Sequence, residues 1–352
     1  MLRLRYHLLA RQPVGRGFLR LCGGNTTKTP QLDSSRFGSL AVAPIAERRI
    51  FDQFEAPQPI GSGLVIQPVG QAVLADLGFL EAAVARGAPI HRMQGHDARS
   101  GRQVLLADYG PTGGARFGLA IHRAALFETL LSATVSEGVS FHHGWRVTGV
   151  SSAPQRALER EDGASAGPFD LVIDASGAGS PLAPSTGTPL SYGALWGTVT
   201  LPQGLSPGDE LRHRYRGAHS MMGIMPLGRP VGGDDDQASS FFSLPQSRYP
   251  AWQAEDLAQW KAEAAALWPI FGTLLNEVKD HAALTMAKYR HGTLPNPVSA
   301  GLVHIGDAAH QASPQLGQGA NMALLDAAAL AAALKECASL ADGLADYAKA
   351  RR

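Results

Sequence analysis

The stretch Gly301-Leu-Val-His-Ile-Gly-Asp-Ala-Ala-His310, continuing Gln-Ala-Ser-Pro-Gln-Leu-Gly-Gln-Gly-Ala-Asn321, constrains this chain more than any other. Leu302 to Ile305 reads as a buried strand that ends in Gly306-Asp307. A glycine-rich turn follows, and then an Ala/Leu helix predicted from about Asn321 to Leu334. A carboxylate at the carboxyl end of a parallel strand sits where open α/β sheets bind ligands. Gly317 and Gly319 allow backbone to approach a bound ring closely, and the next helix offers unpaired N–H groups at its positive dipole end. Such a segment suits a polyhydroxylated cofactor that carries an electron-rich ring.

The rest of the chain supplies sheet and helix around this segment. Ile50-Phe51-Asp52 reads as a strand end with an acid at its tip, and Leu64 to Ile66 as a second apolar run. Gln71 to Arg86 and Arg123 to Glu137 have the spacing of amphipathic helices, and Ile90 to Leu106 that of a hairpin centred on Ala98 to Gly101. Ser151 to Pro168 reads as a polar turn region. Phe169 to Asp174 is a buried strand followed by the turn Ala175-Ser-Gly-Ala-Gly179. Beyond the proline-rich crossing at Pro181 to Thr188, short strand candidates recur at hairpin intervals (194–201, 210–216, 220–226, 239–244). A helix is predicted over 256–277 and a strand over 281–289. The fold class is therefore α/β: a Rossmann-like domain with an inserted, mainly antiparallel sheet for the substrate. The expected boundaries are 49–185 plus 286–352 for the cofactor domain and 186–285 for the inserted sheet.

Composition limits the partners. With 31 basic and 30 acidic residues in 352, nothing favours nucleic acid or an anionic membrane. Cys22 and Cys337 fit no metal spacing, so no metal is expected, and a reducing, cytoplasmic setting is the simple reading. The apolar run 323–340 is broken by Asp326, Lys335 and Glu336, which argues against a membrane span. Residues 1–48 differ from the rest. Arginines recur with no acid before Asp33, and the segment reads as a transit peptide, a disordered leader or a frame-shifted amino end.

The residues Gly306, Asp307, Ala308, Ala309, His310, Pro314, Gly317, Gly319 and Asn321 resemble the second flavin-contacting motif of the p-hydroxybenzoate-hydroxylase-like FAD monooxygenases. The segments 49–57 and 59–68 are similar to that family's second strand and the loop after it. The resemblance implies FAD as cofactor, with Asp307 on the ribityl chain and Pro314 beside the reactive edge of the ring. It also implies backbone contacts from Gly306 and from Gly317 through Gly319, Ala320 and Asn321. Asp52 would take the adenosine ribose hydroxyls, Gln67 continues that motif, and Arg123 would lie near the pyrophosphate and ring. No side chain is assigned as a base, and the candidate lining residues Trp196, Met221, Met222, Met225, Phe241 and Phe242 read equally as core. The activity implied is insertion of one oxygen atom from O2 into a small aromatic or polycyclic molecule through a flavin C4a-hydroperoxide.

Two departures from the family pattern stand out. The middle turn reads Asp174-Ala-Ser-Gly177, with Ser176 where the family has aspartate. Similar turns occur in relatives that receive reduced flavin from a partner, so NAD(P)H is implied either directly or through a separate flavin reductase. The same turn also suits a reductase or dehydrogenase of the geranylgeranyl-reductase type. The second departure is that residues 1–48 offer no Gly-x-Gly-x-x-Gly after an apolar strand, which leaves open an inactive fragment without the pyrophosphate site.

Overall fold

The computed structural model describes residues 6–11 (backbone only), 47–56, 61–110, 115–152, 155–184, 187–202, 208–230, 233–314 and 317–352. Cys22, and most of the 1–48 segment in which a glycine motif is missing, fall outside these residues. Two large sheets organise the chain. In the first, six strands lie in the order Val298–Ser299, Leu302–His304, Leu171–Ala175, Tyr6–Arg11, Glu47–Phe51 and Ser140–His142. The Leu171–Ala175 and Leu302–His304 strands run parallel, with Asp174 beside His304, and Glu47–Phe51 runs parallel to Ser140–His142. The apolar character of Leu171–Ala175 and Leu302–His304 follows from burial on both faces. The Gly319–Glu336 and Leu340–Ala350 helices lie against this sheet, and Leu330, Leu344 and Tyr347 pack on Leu171, Ile173 and Val303.

The sequence shows no first strand, yet Tyr6–Arg11 occupies the central slot of this sheet. It runs antiparallel to both neighbours, pairing Tyr6 with Ala175 and Ala10 with Leu171 on one side, and His7 with Phe51 on the other. Arg11 therefore lies beside Glu47, at the edge of the sheet opposite Asp52 and Asp174. A strand in this slot needs only a few residues without proline, and Tyr-His-Leu-Leu-Ala-Arg meets that.

The second sheet has eight strands: His310–Gln311, Thr285–Thr293, Thr188–Thr200, Gln237–Pro245, Ser220–Gly228, Glu210–Arg216, Arg92–Asp97 and Gln103–Asp108. All of its pairings are antiparallel except that of Glu210–Arg216 with Arg92–Asp97. The hairpin expected around Ala98 to Gly101 forms and joins this sheet, so the sheet reaches beyond 186–285. Alternation along the strands splits the side chains between two faces. Leu195, Val199, Met222, Ile224 and Leu244 point to a core closed by Trp252, Trp260, Trp268 and Phe271 from the helices of 249–274. Met93, Leu211, Met225, Leu227 and Phe241 point the other way, toward Val65 and Ala120, with Trp196 and Met221 packed against them.

Three local expectations change. The single helix predicted over 256–277 divides into Leu257–Leu267 and Pro269–Leu274, because Pro269 cannot donate the bond that would carry the helix through Trp268. The helix over 71–86 divides into Pro68–Asp76 and Leu80–Val84, with Gly78 at φ +77° between them. The polar region 151–168 contains the hairpin strands Arg156–Arg160 and Ser165–Phe169. Only Leu158 and Phe169 of that pair are buried, so the apolar alternation that marks a strand in sequence is almost absent.

Candidate active site

The strand Leu302–His304 delivers the Gly306–Asp307 turn. Ile305 donates its N–H to the Asp174 carbonyl at 3.0 Å, which aligns the end of this strand with its neighbour. Gly306 then turns at φ +57° and opens a 3-10 turn over Gly306–Ala308. Its N–H donates to Asp326 Oδ2 at 2.7 Å, from the buried face of the following helix. Asp307 follows directly. Among the described residues no donor reaches its carboxylate, and burial pushes its pKa up while the nearby Arg123 guanidinium pulls it down. A carboxylate left in that state is ready for hydroxyl donors from a ligand.

Gly319 stands next to Asp307. A Cβ there would meet nothing nearer than Asp307 Oδ1 at 3.6 Å, so the glycine leaves space in front of the acid. The helix it begins, Gly319–Glu336, has no side-chain cap on its first amides. Asn321 ties this turn to the neighbouring loop and is fully buried. Its Oδ1 accepts from Gln67 N at 2.8 Å, while Nδ2 donates to Val65 O at 3.1 Å and Gly317 O at 2.7 Å. Gly317, at φ +60°, donates its N–H to Pro314 O at 2.9 Å and packs against Val65 and Gln67. Gln67 Oε1 accepts from the Tyr109 hydroxyl at 2.5 Å. Gln67, Gly306, Asp307, Pro314, Gly317, Gly319, Ala320 and Asn321 therefore form one continuous wall, with Pro314 at its exposed lip.

Arg123 opens the helix Arg123–Ser136 beside this wall. His122 caps that helix by accepting from Ala124 N on Nδ1 at 3.1 Å, and Arg123 N donates to Ser62 O at 3.1 Å. Gly61 lets the loop lie on the arginine stem, because a Cβ there would be 2.9 Å from Arg123 Cδ. Burial lowers the guanidinium pKa, and the Asp307 carboxylate and Tyr289 phenol act against that. On the facing sheet the Trp196 indole donates to the Tyr289 hydroxyl at 2.7 Å and stacks on Phe241 at 4.6 Å between centroids. Burial raises the Tyr289 pKa to about 12, so it stays a neutral phenol.

Asp52 lies at the same edge of the first sheet, three strand spacings away, or about 14 Å. It is buried, accepts from Phe54 N at 3.2 Å, and has its pKa raised by burial against the pull of that N–H. Ser176 lies between the two acids, but its hydroxyl donates to Asp174 Oδ1 at 2.6 Å. Ser180 Oγ and His304 Nδ1 meet the other Asp174 oxygen at 2.6 and 2.7 Å. Asp174 organises the turn from within, and Ser176 stands there as one of its donors. Asp326 and Tyr109 are the site residues that sequence reading misses. In sequence Asp326 only interrupts an apolar run, although a lone carboxylate on the buried side of an Ala/Leu helix demands a partner.

The residues present fit FAD at the flavin end: an acid without a protein donor among the described residues, an arginine beside it, and a glycine that leaves space before it. At the far end of the sheet the central strand runs antiparallel to its neighbours, so Arg11 lies at the edge opposite Asp52.

This site on this fold defines a class, and comparison with known proteins agrees with it. Residues 46–352 match the FAD binding domain family, and the chain belongs to that family. It is 27% identical over 312 residues to the FAD-dependent urate hydroxylase of Klebsiella pneumoniae, covering 85% of this chain and 78% of that one. It is 26% identical over 300 residues to the 3-amino-4-hydroxybenzoate 2-monooxygenase of Streptomyces cremeus, covering 81% and 72%. Among solved structures, Klebsiella pneumoniae HpxO complexed with FAD and uric acid superposes with a TM-score of 0.69 at 25% identity, over 86% of this chain and 77% of that one. The fold is also that of 2-methyl-3-hydroxypyridine-5-carboxylic acid oxygenase, with a TM-score of 0.72 at 18% identity over 85% and 79%. These relatives are FAD-dependent aromatic monooxygenases of the p-hydroxybenzoate-hydroxylase-like group, as the sequence resemblance implies. No helix among the described residues is long and apolar enough to cross a membrane.

Proposed function

We propose that this chain is a FAD-dependent monooxygenase that places one oxygen atom on a small aromatic molecule, with NAD(P)H supplying electrons directly or through a partner reductase in the cytoplasm. The observation that carries this reading is the Asp307 wall facing the Trp196–Tyr289–Phe241 side of the second sheet. FAD, when bound, supplies the redox chemistry with O2. Asp307 would accept hydroxyl donors from the cofactor chain, and the uncapped first amides of the Gly319 helix would stabilise the negative charge that the ring gains on reduction. Asp52 would hold the nucleotide's ribose, with residues 49–185 plus 286–352 as the cofactor-binding part and 186–285 as most of the substrate sheet.

The face of the second sheet that carries Trp196, Met225 and Phe241 is apolar. His213, between Tyr215 and Phe241, has its pKa pushed down to about 4 by burial, so it is neutral at pH 7. Its folded pKa lies below its unfolded one. The unfolded chain therefore takes up the proton first, and stability falls as pH drops from about 6.5 toward 4. That window is worth up to about 3 kcal/mol. His213→Phe is expected to remove this acid sensitivity, read as a flatter dependence of Tm on pH than in the natural protein.

The test of function is substrate-dependent consumption of O2 and NAD(P)H by the FAD-loaded chain, with an aromatic panel that includes urate and aminohydroxybenzoates. A hydroxylated product that carries oxygen from labelled O2 supports the reading. Turnover that proceeds equally without O2 would replace it with the reductase reading.

A further inference from the structure

The helix Leu340–Ala350 touches the flavin turn at two points that none of the assigned roles uses. Tyr347, fully buried, donates its hydroxyl to the backbone carbonyl of His304 at 3.2 Å. Four residues on, Arg351 continues the helix by donating its N–H to Tyr347 O at 3.1 Å, so the two side chains share one face. The Arg351 guanidinium pairs with Asp326, whose other oxygen accepts the Gly306 N–H at 2.7 Å. Asp326 is wholly buried, and His310 Nε2 lies 3.7 Å from the oxygen that faces Arg351. One grip thus holds the backbone before the turn, at His304, and the other holds the turn itself, at Gly306. Asp307, which has no protein donor among the described residues, follows Gly306 directly in the chain.

We propose that Tyr347 and Arg351 form a two-point clamp that sets the His304–Asp307 turn, with Asp326 and Arg351 as positioning residues for the flavin site. The proposal rests on the reading of Asp307 as a cofactor ligand. Its physical basis is that the carboxylate of Asp326 bridges a backbone amide and a guanidinium. Without Arg351 the buried charge loses its compensation, and protonation of Asp326 then weakens it as an acceptor for Gly306. The turn would relax while the strands beneath it keep their ladder.

The experiment is hydrogen exchange of the FAD-free full chain, followed by FAD titration, in Arg351→Met, Arg351→Lys and Tyr347→Phe. In Arg351→Met, exchange of the amides from Gly306 to Ala309 is expected to rise roughly tenfold, the scale of one lost charged hydrogen bond. Amides of Leu171–Ala175 should keep their natural protection, and Arg351→Lys should restore the turn. The FAD dissociation constant should rise in parallel, by about tenfold. Unchanged protection of the turn, or an equal loss across the whole sheet, would overturn the clamp. If Arg351→Met does not fold, Tyr347→Phe gives the same reading through its own grip. If the natural chain takes up no FAD, the exchange result still decides the clamp, and the failure belongs to the functional reading.

Discussion

Asp307→Ala is expected to act in opposite directions on cofactor binding and on stability. FAD affinity should fall by about a hundredfold, since a charged acceptor of hydroxyl donors contributes roughly 1.5–3 kcal/mol per bond. The apoprotein should gain stability over the same substitution. Burial raises the pKa of Asp307, so the folded chain holds its proton more tightly than the unfolded chain does. Stability from this group is present at low pH and is lost as pH rises above about 4, through the folded pKa. Alanine removes that loss. The check is the visible absorption of the protein after FAD loading and desalting, together with the Tm of the FAD-free form near pH 7. Natural flavin retention in the variant would remove Asp307 from the site. A lower apoprotein Tm would show instead that the acid has a stabilising partner.

Asn321→Leu should destabilise the fold by about 3–6 kcal/mol, the sum of three stranded polar groups at about 1–2 kcal/mol each. The Asn321 side chain joins the Gly317 turn to the Val65–Gln67 segment, with bonds to both. Leucine has a similar branched shape and a larger volume, and it leaves the Gln67 N–H and the Val65 and Gly317 carbonyls without that partner. It also meets Gly70, where the backbone approaches so closely that even a Cβ would lie 2.3 Å from Asn321 Oδ1. Chemical denaturation gives the free energy, and flavin retention should fall with it because Gly319 and Ala320 follow the same turn. A loss below about 1 kcal/mol would show that water or relaxation replaces all three bonds.

The contrast between Asp326 and Asp307 explains where sequence reading stops. Asp307 is visible in sequence because its neighbours are informative: an apolar run before it, glycines after it, a helix beyond. The role of Asp326 depends on Gly306, 20 residues earlier in the chain, and on Arg351, so no local pattern displays it. The same holds for the tyrosine and tryptophan of the second sheet. Trp196 and Tyr289 lie 93 residues apart and meet only because the Thr188–Thr200 and Thr285–Thr293 strands pair. The candidate lining residues divide by strand parity. Met221, Met225, Phe241 and Trp196 face Val65 and Ala120, while Met222 and Phe242 face the tryptophan-rich core. Parity is legible only after the register of the sheet is known.

Elements whose residues are neighbours in the chain are legible in its linear order. These are the strand, Gly306-Asp307, the glycine turn and the helix after it, the acid at the tip of the Glu47–Phe51 strand, and the FAD class that they imply. Periodicity and turn chemistry act over a few residues, so they survive in the linear order. The direction of the Tyr6–Arg11 strand, the hydrogen bonds that occupy Ser176, and the contacts of Tyr347 and Arg351 with the His304–Asp307 turn and its helix emerge in three dimensions. Each of these is a choice between partners far apart in the chain. Burial and hydrogen-bond satisfaction settle such choices once all the layers are packed together.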